Sequence, residues 1–153
     1  MRVSSVILVL VGVVGAVLVL ASTRDSFEAR NVKGTYNTYG DSFSPGGGGP
    51  ISSTACAPNG PTTYVSPKLL KKYPWVAINQ PTFKLSNDGD VFRKKQCGKC
   101  AMITNPKNGK SQKFVVVDIK GEKGVDMSPG GFNMIGVSVA NGSGPVNVKE
   151  VPC

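Results

Sequence analysis

The chain has 153 residues, room for one modest domain and a leader rather than several domains. Lys and Arg number 18 against 9 Asp and Glu, a formal charge of +9 that drops by one if Arg2 leaves with a leader. With no histidine in the sequence, the side chain that most often exchanges protons near neutral pH is missing. Residues 6–21 are apolar and uncharged, shorter than the roughly 20 residues a comfortable membrane span needs. With Arg2 before them and Ala21 at their end, they predict a secretory signal over 1–21, a signal-anchor being the alternative. Residues 22–31 are polar and mixed in charge and read as a flexible lead-in, which leaves 32–153 as the folded domain. Residues 32–39 are rich in β-formers and predict a first strand. The four adjacent glycines at 46–49 place 40–50 in a loop, and no Gly-Lys-Ser/Thr follows to make it a phosphate cradle. Ser66 and Pro67 open a short helix as N-cap and first-turn residue. Residues 75–78 predict a buried strand. Beyond Gly98, short strands over 100–104, 113–118, 132–139 and 146–151 alternate with Gly, Pro and Asn turn signals. This punctuation predicts a mainly β barrel or sandwich.

Four cysteines are present. In a secreted chain such an even set reads as a disulfide framework, with three connectivities open. Zinc would need Cys56 and Cys153 to converge on the Cys97-Gly-Lys-Cys100 pair, since no histidine can contribute. Redox exchange would want a βαβ context that the pattern lacks. No metal and no cofactor is therefore expected. Asn141-Gly-Ser143 is an N-glycosylation sequon. Nine basic residues, Arg93, Lys94, Lys95, Lys99, Lys107, Lys110, Lys113, Lys120 and Lys123, face only Asp90, Asp118 and Glu122 in one stretch. Such a surplus can draw acidic polysaccharide, a membrane surface or nucleic acid. The simpler reading is a solvated surface that keeps the chain soluble.

Several segments, in order, resemble the barwin domain: Lys33-Gly-Thr-Tyr-Asn-Thr-Tyr39, Ile51-Ser-Ser-Thr-Ala-Cys56, Lys72-Tyr-Pro-Trp-Val-Ala77, Cys97-Gly-Lys-Cys100 with Thr104-Asn-Pro106, and Asn147-Val-Lys-Glu-Val-Pro-Cys153. Val76-Ala-Ile-Asn79 and Gly124-Val-Asp-Met-Ser-Pro129 resemble stretches of the related expansin first domain. The resemblance implies a six-stranded double-psi β-barrel with one or two short helices. It also implies disulfides Cys56–Cys97 and Cys100–Cys153. The third bridge of barwin is missing, Ile119 standing about where one of its cysteines would be, which implies a less constrained loop after Asp118.

The same resemblance implies a saccharide groove built on Thr35, Tyr36, Asp118 and Asp126, with Asp126 matching the acid of related glycanases. Glycoside hydrolysis needs two carboxyl groups at a defined separation, and Asp126 with Asp118 would be the pair if the chain were an enzyme. The alternative for both is ordinary: aspartate at a strand end or in a turn accepting backbone amides. Tyr36, Tyr39, Tyr73 and Trp75 offer aromatic faces for sugar rings, though Trp75, in an apolar segment, reads as core. The expectation is a secreted, monomeric, non-catalytic binder of cell-wall polysaccharide such as chitin or β-glucan, with weak affinity and a role in defence or wall interaction. Ribonuclease chemistry is disfavoured by the lack of histidine. The alternatives are expansin-like wall loosening or glycan cleavage through Asp126 and Asp118, and a protein-binding module such as a cysteine protease inhibitor. No nucleic acid is expected as a partner, and no membrane after signal cleavage.

Overall fold

The computed structural model describes residues 26–38, 54–57 and 64–153. The expected signal segment, Tyr39 and the glycine-rich loop lie outside the described residues, as does the first part of the lead-in. Six strands, β1 (Glu28–Tyr36), β2 (Trp75–Ile78), β3 (Cys100–Thr104), β4 (Ser111–Ile119), β5 (Val125–Met127) and β6 (Ser143–Val151), close into a barrel in the order β1-β5-β2-β4-β3-β6. The pairs β1–β5 and β2–β4 are parallel and the other four antiparallel. This is the double-psi barrel that the resemblance implies. Closure gives each of these strands a paired neighbour on both sides.

β2 is buried along its whole length, as an uninterrupted apolar strand should be when both faces are covered. Trp75 is fully buried, with Phe92, Phe114, Phe132, Ile103 and Met127 around it in one core. β1 starts at Glu28 instead of Val32, so the end of the expected lead-in belongs to the barrel. A register shift between Ala29 and Val32 hides this in the sequence. Asn31 takes φ 52° there, a left-handed conformation that asparagine tolerates, and its N–H donates to Asn147 Oδ1 at 2.9 Å.

Among the described residues, three short helices pack on the barrel. In α1 (Pro67–Lys72) the Ser66 hydroxyl accepts from the Lys68 amide and Lys71 and Lys72 complement the C-terminal dipole. α2 (Gly89–Lys95), unassigned from sequence, is capped by Asp88, whose carboxylate accepts from the Asp90 and Val91 amides. α3 (Pro129–Met134) corrects the strand expected over 132–139, which also includes the start of a 3-10 turn at Val139–Asn141. Its start repeats the Ser-Pro pattern of α1: Ser128 accepts from the Gly131 amide and Pro129 takes the first position. Gly131 lies so close to the Phe114 ring and Pro74 that a Cβ would collide with both.

Disulfides join Cys56 to Cys97 and Cys100 to Cys153, with Cα separations of 5.6 and 5.2 Å. These are the pairs implied by the resemblance. The first pins the segment around Cys56 to the end of α2, over β4, where the Cys56 amide donates to Val117 O at 3.2 Å. The second ties the end of β6 to the start of β3.

Candidate functional site

Strand register puts the polar candidates in one row. Ser143 on β6 pairs with Thr35 on β1, Thr35 with Asp126 on β5, Asp126 with Ala77 on β2, and Ala77 with Asp118 on β4. Laterally paired residues present their side chains to the same face of a sheet. Gly34 faces inward, where an added Cβ would meet Met127 and Val146, so by alternation the row occupies the outer face. Two strand spacings separate Asp126 from Asp118, about 10 Å between their Cα atoms. Ala77, with only a methyl group, stands between them.

Asp126 is engaged from two sides. The Thr35 hydroxyl donates to Asp126 Oδ1, and Lys120 Nζ donates both to Asp126 Oδ1 at 2.8 Å and to Thr35 Oγ1 at 3.2 Å. The ion pair is mostly buried, with side-chain exposures of 8% for Lys120 and 15% for Asp126. Asp118 Oδ1 accepts from the Ala55 amide at 2.7 Å and from the Ile119 amide at 2.9 Å. It thereby anchors the segment that carries Cys56.

Behind the ion pair, Asn79 organises the loop between β4 and β5. Its Nδ2 donates to Lys120 O (3.1 Å) and Gly121 O (3.3 Å), while its Oδ1 accepts from the Thr82 amide (3.0 Å) and hydroxyl (2.7 Å). Thr82 Oγ1 in turn accepts from the Gly124 amide at 3.1 Å. Gly124, at φ +100°, passes so close to Lys33 that a Cβ would sit on the Lys33 carbonyl oxygen. The loop after Asp118, expected to be less constrained without the third bridge, is thus held by an amide side chain.

The structure brings together Thr35, Asp126 and, one small residue away, Asp118. Tyr36 does not join them: it alternates to the opposite face of β1 and packs against Phe132, ring centroids 5.8 Å apart. Tyr73 lies apart, flanked by Lys72 and Lys113 at 5.0 and 5.5 Å from its ring centroid, its hydroxyl donating to Cys153 O at 3.0 Å. Asn141 is exposed at the end of the 3-10 turn before β6. Sequence reasoning missed Lys120 and Asn79. Lys120 stands in the basic run of the sequence, although its place two residues after Asp118 marks it for the same face. Among the described residues no group of three metal-ligating side chains occurs. A cleft of about 480 Å³ between the 3-10 turn at Pro81–Phe83 and α2 contains none of the predicted site residues.

The model of the Barwin family matches residues 28–153. No curated protein matches the chain by sequence. Among solved structures, cerato-platanin 3 from M. perniciosa superposes with a TM-score of 0.54 at 21% identity, covering 78% of this chain and 93% of that one. An expansin from Clavibacter michiganensis, a mutant in complex with cellohexaose, gives 0.51 at 16% identity over 82% of this chain and 50% of that one. The Streptomyces papain inhibitor gives 0.51 at 18% identity over 81% and 94%. The chain therefore spans about half of the expansin and nearly all of the inhibitor. At these identities the likeness concerns the fold.

Proposed function

The chain belongs to the Barwin family, and on that premise we propose that it is a secreted monomer that binds cell-wall polysaccharide without cleaving it, in defence or wall interaction. One observation carries the non-catalytic reading: Asp126 is bound by Lys120 and Thr35, and Asp118 accepts two backbone amides. A general acid must carry a proton and deliver it to the leaving oxygen. A carboxylate held in a charge-assisted bond to an ammonium group is suited instead to accepting hydrogen bonds. The row Ser143, Thr35, Asp126, Asp118 then offers sugar hydroxyls fixed donors and acceptors along one face. The cellohexaose-bound expansin of like fold supports this choice of ligand class, and the two disulfides accord with an oxidising compartment outside the cell.

Affinity is modest, about millimolar, worth about 4 kcal/mol. Retention on chitin, cellulose and β-glucan at low salt tests the reading. Retention on at least one, weakened several-fold by Thr35→Val, with no reducing sugar released, is expected. Failure on all three overturns it. The rival role, wall loosening or glycan cleavage through Asp126 and Asp118, predicts sugar release or wall extension that Asp126→Asn abolishes. A second reading, inhibition of a cysteine protease, draws support from the likeness to the Streptomyces papain inhibitor over nearly all of that chain. A papain assay separates it from the first.

A further inference from the structure

We infer that a cationic trough beside the polar row receives the negatively charged backbone of an acidic polysaccharide, a polyuronate. This rests on the polysaccharide-binding reading and narrows its ligand class. Lys33 lies two residues before Thr35 on β1, so both side chains leave the same outer face. Two depressions, of about 510 and 400 Å³, adjoin there and share Asn31, Val32 and Lys33. These volumes fall in the range of small-ligand sites. The first continues to Thr82 and Lys123, the second to Lys107, Ser143 and Pro145. Ser143 is also the first residue of the polar row, which makes the trough continuous with it.

Among the described residues the charge in the trough is uncompensated. Lys33, Lys107 and Lys123 are all exposed, and no carboxylate lines either depression. Elsewhere among the described residues, Arg30, Arg93, Lys99 and Lys120 each have a carboxylate partner. Concave surfaces lined by one sign of charge concentrate counter-ions of the other. The remaining lining suits a sugar chain: Asn31, Thr82 and Ser143 for hydroxyls, with Val32, Pro81 and Pro145 for ring faces. No aromatic ring lines either depression, so the stacking platform that single-stranded nucleic acid uses is missing. The apolar contribution is also small beside that of a membrane-binding amphipathic surface.

Co-sedimentation of the intact protein with de-esterified polygalacturonate tests the inference, with methyl-esterified pectin and insoluble β-glucan alongside. Binding to polygalacturonate at low salt is expected to weaken on methyl esterification and on raising salt. It should fall about tenfold in Lys33→Gln/Lys107→Gln/Lys123→Gln, since exposed charge pairs contribute modestly and add up. The corresponding triple arginine variant should retain it. Circular dichroism of the glutamine variant checks that the barrel is intact. Equal binding by wild type and glutamine variant overturns the inference. So does equal affinity for phosphatidylglycerol vesicles or single-stranded DNA, which would mean a general cationic surface. Retention on β-glucan without polygalacturonate binding overturns it while leaving the broader reading in place. Polygalacturonate binding without β-glucan retention supports it and removes neutral polymers from the ligand class.

Discussion

Lys120 and Asp126 form a mostly buried ion pair whose two members depend on each other. Replacing Lys120 by methionine leaves a carboxylate with Thr35 alone, and removal of one partner from such a pair costs about 3 kcal/mol. Equilibrium urea unfolding should show this loss, and Lys120→Met/Asp126→Leu should recover most of it, because an apolar pair avoids the desolvation cost. Asn79→Ala removes four hydrogen bonds in a buried setting, and a loss of about 2–4 kcal/mol by the same measurement is expected. Thr35, Asp118 and Asp126 were legible because their motifs sit at strand positions that the resemblance supplies. Lys120 was not, since burial of a lysine depends on a partner that only the register of β1 and β5 brings to it. Tyr36 stands apart from them because adjacency to Thr35 in sequence means opposite faces in a strand.

At the level of elements, the two bridges differ in accessibility. Cys56 is fully buried and Cys97 half-buried, whereas Cys153 is exposed. Graded reductant with alkylation and mass mapping should therefore open Cys100–Cys153 first and Cys56–Cys97 only at higher concentration or on unfolding. Each bridge closes a long loop, with sequence separations of 41 and 53, and on chain entropy contributes about 4 kcal/mol. Losing both should leave the chain unfolded at room temperature, since that sum is comparable to the whole stability of a small domain. Caps contribute less: Ser128→Ala should lower unfolding free energy by about 1 kcal/mol. The strands at 75–78 and 100–104 were legible from continuous apolar runs between turn signals. α3 was not, because Pro129-Gly-Gly131 reads as a turn unless Ser128 is recognised as a cap, and Gly131 serves close packing on Phe114 of β4 rather than a break.

For the whole molecule, barrel closure makes the outer row possible. Ser143, Thr35, Asp126 and Asp118 come from four strands, and the parallel pairings of β1 with β5 and β2 with β4 together with the antiparallel pairings of β1 with β6 and β2 with β5 align them. The double-psi barrel was legible because ordered motifs and cysteine positions carry it. The trough was not, since its three lysines are separated in sequence and meet only through the folded surface.

The first and last strands lie side by side and run in opposite directions, with Glu28 opposite Lys149 and the Phe27 carbonyl bonded to the Glu150 amide. A mechanical load applied between Phe27 and Cys153 would thus open the β1–β6 seam like a zipper, one rung at a time, instead of shearing it. The Cys100–Cys153 link keeps β6 fastened to β3 while that happens. Under tension β1 would peel away first, taking Thr35 and Lys33 with it, before the rest of the barrel yields.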